Sequence, residues 1–149
     1  MPSNVDISQL IRMRDKLKSI SENPEPVMED MTKEITKALL NVVTKKTPVG
    51  QYPVSSGKVG GTLRRGWTGG VQRNANDSQI NVQNSGNVYN VELENPVEYA
   101  SYVNNGHRTR NGGFVQGQFF VEKAVAEVQQ KATRIVYAKM RRILGDDFR

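Results

Sequence analysis

Ser78-Gln79-Ile80-Asn81-Val82-Gln83-Asn84-Ser85-Gly86-Asn87-Val88-Tyr89-Asn90-Val91-Glu92-Leu93 is the stretch in which the hydrophobic period of this chain changes. Ile80 and Val82 alternate with polar residues. Tyr89, Val91 and Leu93 do the same beyond Asn84-Ser85-Gly86-Asn87, with Val88 facing the opposite way. A period of two marks a half-buried strand, and an Asn/Ser/Gly tetrapeptide tolerates the positive φ of a tight reversal. Asn74-Ala75-Asn76-Asp77 is a similar turn just upstream, and Trp67 to Gln72 reads as a further short strand interrupted by Gly69-Gly70. The expected fold class is α+β: an antiparallel sheet of three or more strands between about 66 and 95, packed by an N-terminal helical segment and a long C-terminal helix, with a long extended loop.

Outward from that stretch the period returns to 3.6. Upstream, Met28, Met31, Ile35, Leu39 and Val42 make one stripe of a helix over about 26–46. Pro26, Glu29 and Asp30 suit its positive end and Lys45-Lys46 its negative end. Ile7, Leu10, Ile11 and Leu17 give a shorter helix over about 6–20, with Asp6 as its cap and Arg12, Arg14, Lys16 and Lys18 on its other face. Between helix and sheet, 47–66 has no period and is rich in Gly, Pro and Ser, so it reads as a long loop. Downstream, 98–105 reads as a short helix stopped by Asn104-Asn105-Gly106. A loop from Arg108 to Gln118 leads to a helix over about 118–144. Its seam is Val121, Val125, Val128, Ala132, Ile135 and Ile143, broken only by Lys139. At 1.5 Å per residue that helix is about 40 Å long, so one end is expected to project or kink.

The 149 residues suit a single domain, 1–149. Val supplies 18 of the 36 Leu, Ile, Val and Phe residues, which favours some sheet. The absence of Cys excludes a disulfide scaffold, a thiolate metal site and a Cys nucleophile, and the single His excludes a multi-histidine metal site in one chain. No apolar run approaches a membrane span and the first residues lack a signal-peptide pattern, so the expectation is a soluble protein of a reducing compartment. The net charge of +6 is unevenly placed. No acid occurs between Glu34 and Asp77, a window holding Lys37, Lys45, Lys46, Lys58, Arg64, Arg65 and Arg73. A second acid-free window, Tyr99 to Val121, holds His107, Arg108 and Arg110. Such clusters meet phosphate or the acidic face of a partner protein, or simply keep a surface solvated.

Catalytic constellations are not legible. Gly57-Lys58-Val59 fails the phosphate-loop pattern. His107 has no diagnostic partner spacing, and Glu92 and Glu94 share one strand face as solvated residues do. Asn76-Asp77-Ser78 carries no weight as a glycosylation sequon without a secretory signal. Trp67, alone after a basic pair, is a core or interface anchor before it is a base-stacking platform. No enzyme activity, cofactor or metal is expected.

Two stretches carry a resemblance. The first is Thr47-Pro48-Val49-Gly50 with Gly61-Thr62-Leu63-Arg64-Arg65-Gly66-Trp67. The second is Tyr99-Ala100-Ser101-Tyr102-Val103-Asn104-Asn105-Gly106-His107, followed by Phe114 through Phe120 and Ala124. Together they resemble the minor tail component, or neck, family of long-tailed bacteriophages, whose pattern runs TPVxTGxLRxS, YAxxVExGT and a PFLxPA-like lead-in to a terminal helix. Gln51 to Gly60 is an insertion within the first motif, Asn104 stands where the family often has Glu, and the last motif reads Gly117-Gln118-Phe119-Phe120.

The resemblance implies a structural virion protein, made in the bacterial host cytoplasm. It would form a homo-oligomeric ring, usually a hexamer, that completes the tail or joins it to the head connector. Its partners would be tail tube or sheath protein and connector proteins, with DNA passing through without specific binding and no membrane. A collar or tube-capping subunit of a headless contractile particle is the alternative within that class, and a basic nucleic-acid-binding protein the alternative outside it. In the ring reading, Val49, Val54, Val59 and Leu63 bury against a neighbour, Lys58, Arg64 and Arg65 meet its carboxylates, and Trp67, His107, Arg108 and Arg110 complete the interface. Tyr99 and Tyr102 would pack the short helix against the terminal one.

Overall fold

The computed structural model describes residues 7–67 and 80–145. The expected cap Asp6, the strand continuing from Trp67, the turn at 74–77 and the start of the next strand at 78–79 lie outside the described residues.

Two long helices form the frame: α2, Glu25–Lys46, and α5, Phe120–Leu144. They run antiparallel. Lys46, at the end of α2, pairs with Glu127 near the start of α5 at 2.9 Å, while Lys139 near the end of α5 reaches Asp30 at 3.5 Å and Glu34 at 3.7 Å near the start of α2. The polar break in the α5 seam thus has a physical reason. The Lys139 ammonium meets two carboxylates of the partner helix while its stem remains packed. The expected projection of α5 does not occur, because α2 is nearly as long and Leu144 is buried. The first helix, α1, Ser8–Glu22, buries none of its residues and is tied to the end of α5 by Lys16, whose Nζ donates to Leu144 O at 3.0 Å.

The main core cluster lies at the other end of the pair. Val43 of α2, Phe120 and Ala124 of α5, and Leu63 form its buried centre, flanked by Leu39, Val42, Trp67, Val97, Ala100 and Val103. Leu63 belongs to α3, Thr62–Gly66, which together with a 3-10 turn at Val54–Ser56 corrects the expectation of a wholly extended loop over 47–66.

The expected sheet of three or more strands is not found among the described residues. They form two separate antiparallel hairpins. In the first, β1, Gln83–Ser85, pairs with β2, Val88–Asn90, in the register Gln83↔Asn90. The turn is thus Gly86-Asn87, and the polar Gln-Asn-Ser strand offers no apolar face on which a wider sheet could pack. Ile80 is buried upstream of β1 instead. The second hairpin follows α4, Ala100–Asn105. It joins β3, Gly106–Arg108, to β4, Phe114–Gln116, in the register His107↔Val115. Arg108, expected in a loop, is therefore a strand residue, as is His107. Gly106 begins β3 with φ of +82°, and a Cβ there would strike the Val115 carbonyl, so glycine is required.

Candidate interface site

The two halves of the first motif meet in space. Thr47, just past the end of α2, is fully buried and donates its hydroxyl to Val43 O at 2.6 Å. The same hydroxyl oxygen accepts the Trp67 indole N–H at 2.8 Å. The Thr47 carbonyl accepts both Nε and Nη2 of Arg64, at 3.2 and 2.8 Å, and Nη2 also donates to Lys45 O at 3.4 Å. Arg64 thus satisfies carbonyls that α2 leaves open at its end, where the helix dipole also favours a cation.

The Nε and Nη2 of Arg64, which the sequence reading assigns to a neighbour's carboxylate, are thus engaged by carbonyls of its own chain. Leu63 and Trp67 are also internal. Leu63 is 4% exposed, and Trp67 meets Phe120 edge-on, with ring centroids 6.4 Å apart at 81°. Arg65 is exposed and donates to Gly60 O at 3.3 Å and Thr62 Oγ1 at 3.4 Å.

The other candidate residues of this motif lie outward. Gly50 and Gly60 approach so closely that a Cβ on Gly60 would strike the Gly50 carbonyl. This pinch closes 50–60 into a knob rather than an open arm. Val54 on the knob is 100% exposed, Val59 is 78% exposed, and Tyr52 is also exposed. Lys58 sits over the Tyr52 ring, 5.8 Å from its centroid. Val49 is exposed at the base of the knob, beside a cleft of about 350 Å³ bounded by Pro48, Tyr52, Leu63, Tyr99 and Val103.

The second hairpin exposes Phe114 and Val115, together with Arg108 and Arg110. Tyr102 is exposed and tilts against the His107 ring, with centroids 5.5 Å apart. The His107 Nδ1 is buried without a hydrogen-bond partner among the described residues.

The second motif has an internal task that sequence reasoning missed. Phe119, in the cap position of α5, has φ of +50° and makes no side-chain cap. Asn104 does the capping instead: its Oδ1 accepts the Val121 N–H at 3.1 Å, and its Nδ2 donates to both Glu122 carboxylate oxygens at 3.0 Å. Its backbone carbonyl also accepts the Phe119 N–H at 2.9 Å. A helix start with no Ser, Thr, Asp or Asn beside it was the available signal that a distant residue must serve.

Among the described residues no group of three or more His, Asp or Glu could hold a metal ion, and no helix is long and apolar enough to cross a membrane. What the fold and the site define is an α+β scaffold: an antiparallel helix pair with internal capping side chains, from which an apolar knob and a hairpin stand out. The model of the HK97-gp10-like family, described as "Bacteriophage HK97-gp10, putative tail-component", matches residues 11–106, and the chain belongs to that family. It is a structural tail component of a bacteriophage, with its place in the virion. Comparison with curated proteins and with solved structures gives no match.

Proposed function

We propose that the protein is a ring-forming neck subunit that completes the tail or joins it to the head connector. The observation that carries this reading is the knob of 50–60. Its apolar side chains are uncovered by their own chain, yet the pinch at Gly50 and Gly60 holds them in place. Apolar groups held outward on a structural tail component suit a protein partner. Subunits of one kind that contact one another head to tail close into a ring when the rotation permits. Arg64 is engaged in capping α2, and Lys46 and Lys139 are paired with carboxylates, which favours protein contacts over a phosphate track. DNA passing through such a ring would be conducted rather than gripped.

The test is assembly in cells lacking this protein. Electron microscopy should show heads and tails that fail to join, or tails without a proper end, and supplying the protein should restore complete particles. Normal particles in its absence would overturn the reading. Sub-micromolar duplex binding at physiological salt, with a steep salt dependence, would replace it with nucleic-acid binding.

A further inference from the structure

We propose that the knob of one copy seats on an acidic edge of a second copy, the edge formed by Glu92, Glu94 and Glu98 and continued by Tyr99 and Tyr102. The inference rests on the ring reading and names its contact. The edge arises because the segment after β2 alternates in exposure: 91, 93, 95 and 97 turn inward while 92, 94, 96 and 98 turn out. Three carboxylates therefore face solvent along one segment, and none makes an ion pair with a described residue. Tyr99 and Tyr102 follow directly and are exposed, so an acidic strip borders an aromatic one.

The knob has the matching composition. Val54, Val59 and Tyr52 supply exposed apolar surface, Lys58 supplies an exposed cation, and residues 50–60 contain no acid. Apolar surface can meet the tyrosines while Lys58 meets the carboxylates. Two like knobs would bring cation against cation, and two like edges carboxylate against carboxylate, so charge favours knob on edge. A contact between two different patches of the same chain is head to tail, the kind that builds a ring. A tail tube protein offering its own acidic surface is the competing occupant.

The chain has no native Cys, so an introduced thiol is the sole site on this chain for a thiol cross-linker. One preparation carries Val54→Cys and a second carries Glu94→Cys. They are mixed, assembled on tails made in cells lacking the unmodified protein, and treated with a short bis-maleimide. The expected product is a mixed dimer linking the two variants, several-fold above either like-with-like dimer. As a second arm, Lys58→Glu should reduce ring assembly about tenfold. The same chain with Glu92→Lys, Glu94→Lys and Glu98→Lys added should recover it, with circular dichroism confirming that each variant folds. Rings that assemble but cross-link Val54→Cys only to itself, or to a tube protein, would overturn this contact and leave the ring reading standing. Undiminished assembly of a folded Lys58→Glu variant would do the same. Absence of any ring with the unmodified protein would overturn both.

Discussion

The Oδ1 of Asn104 accepts the backbone N–H of Val121 at 3.1 Å, so the longest helix of the described residues begins under the side chain of another helix. Removing that acceptor leaves an N–H open at the start of α5. Asn104→Ala is expected to cost about 1–2 kcal/mol, as loss of a helix cap does. Asn104→Asp keeps the acceptor but sets a second carboxylate against Glu122. Its stability should fall at neutral pH and recover as pH drops to about 4, the ordinary carboxylate range. Urea melts of both variants at two pH values check this. An Asp variant indifferent to pH would contradict the contact.

Arg64 and Arg65 are adjacent, yet their substitutions should differ. Arg64→Ala removes charged hydrogen bonds from the Thr47 carbonyl and should destabilise by about 1.5–3 kcal/mol. Arg65→Ala, at an exposed side chain with longer hydrogen bonds, should stay within about 0.5 kcal/mol. Thermal melts of the isolated protein decide the matter. Equal effects would mean that the cap on α2 matters less than its geometry suggests.

Hydrogen bonds from Lys131 first and Lys46 second hold the Glu127 carboxyl down to about 2, from an ordinary 4.5. A depressed carboxyl contributes stability that is fully present above its unfolded value and is lost as pH falls through its folded value. The Glu127 contribution should therefore persist at pH values above about 4.5 and fade between there and about 2. Carboxyl-carbon NMR should place the Glu127 midpoint near the lower value, and Glu127→Gln should flatten that part of the stability profile.

The helix pair should tolerate loss of the Lys139 charge better than its reversal. Lys139→Met keeps an unbranched chain in the seam and is expected to change stability by about 1 kcal/mol or less. Lys139→Glu would crowd a third carboxylate against Asp30 and Glu34 and should destabilise by clearly more, with partial relief in high salt. Denaturant melts with and without added salt measure the difference.

Helices α1, α2 and α5 are legible in the sequence because their apolar residues repeat with the helical period, and their boundaries need only small shifts, whereas α3, five residues long, carries too few to show it. The sheet is not, because strands of three residues, one of them Gln-Asn-Ser, carry too few side chains to show a period. The hairpin at 106–116 hides behind its glycines, which signal a turn without revealing the flanking strands. The acid-free window does not reveal the partners Arg64 has within its own chain, because it counts only side-chain charges, whereas these partners are carbonyls at a helix end. Asn104 reads as part of a helix stop, and its second task depends on a helix start that only folding brings beside it. The outward placing of Val54, Lys58 and Val59 follows from their neighbours, since a stretch of Gly, Pro and Ser supplies nothing to bury them.

The pinch at Gly50 and Gly60 lets the knob vary independently of the scaffold. Residues 51–60, which interrupt the tail-family motif, leave and return at almost one point, so the helix pair feels little of what hangs between. Doubling the length of such a loop adds only about 0.6 kcal/mol of closure entropy. The knob is thus a replaceable cartridge: it can be lengthened, shortened or exchanged while α2, α3 and α5 keep their packing.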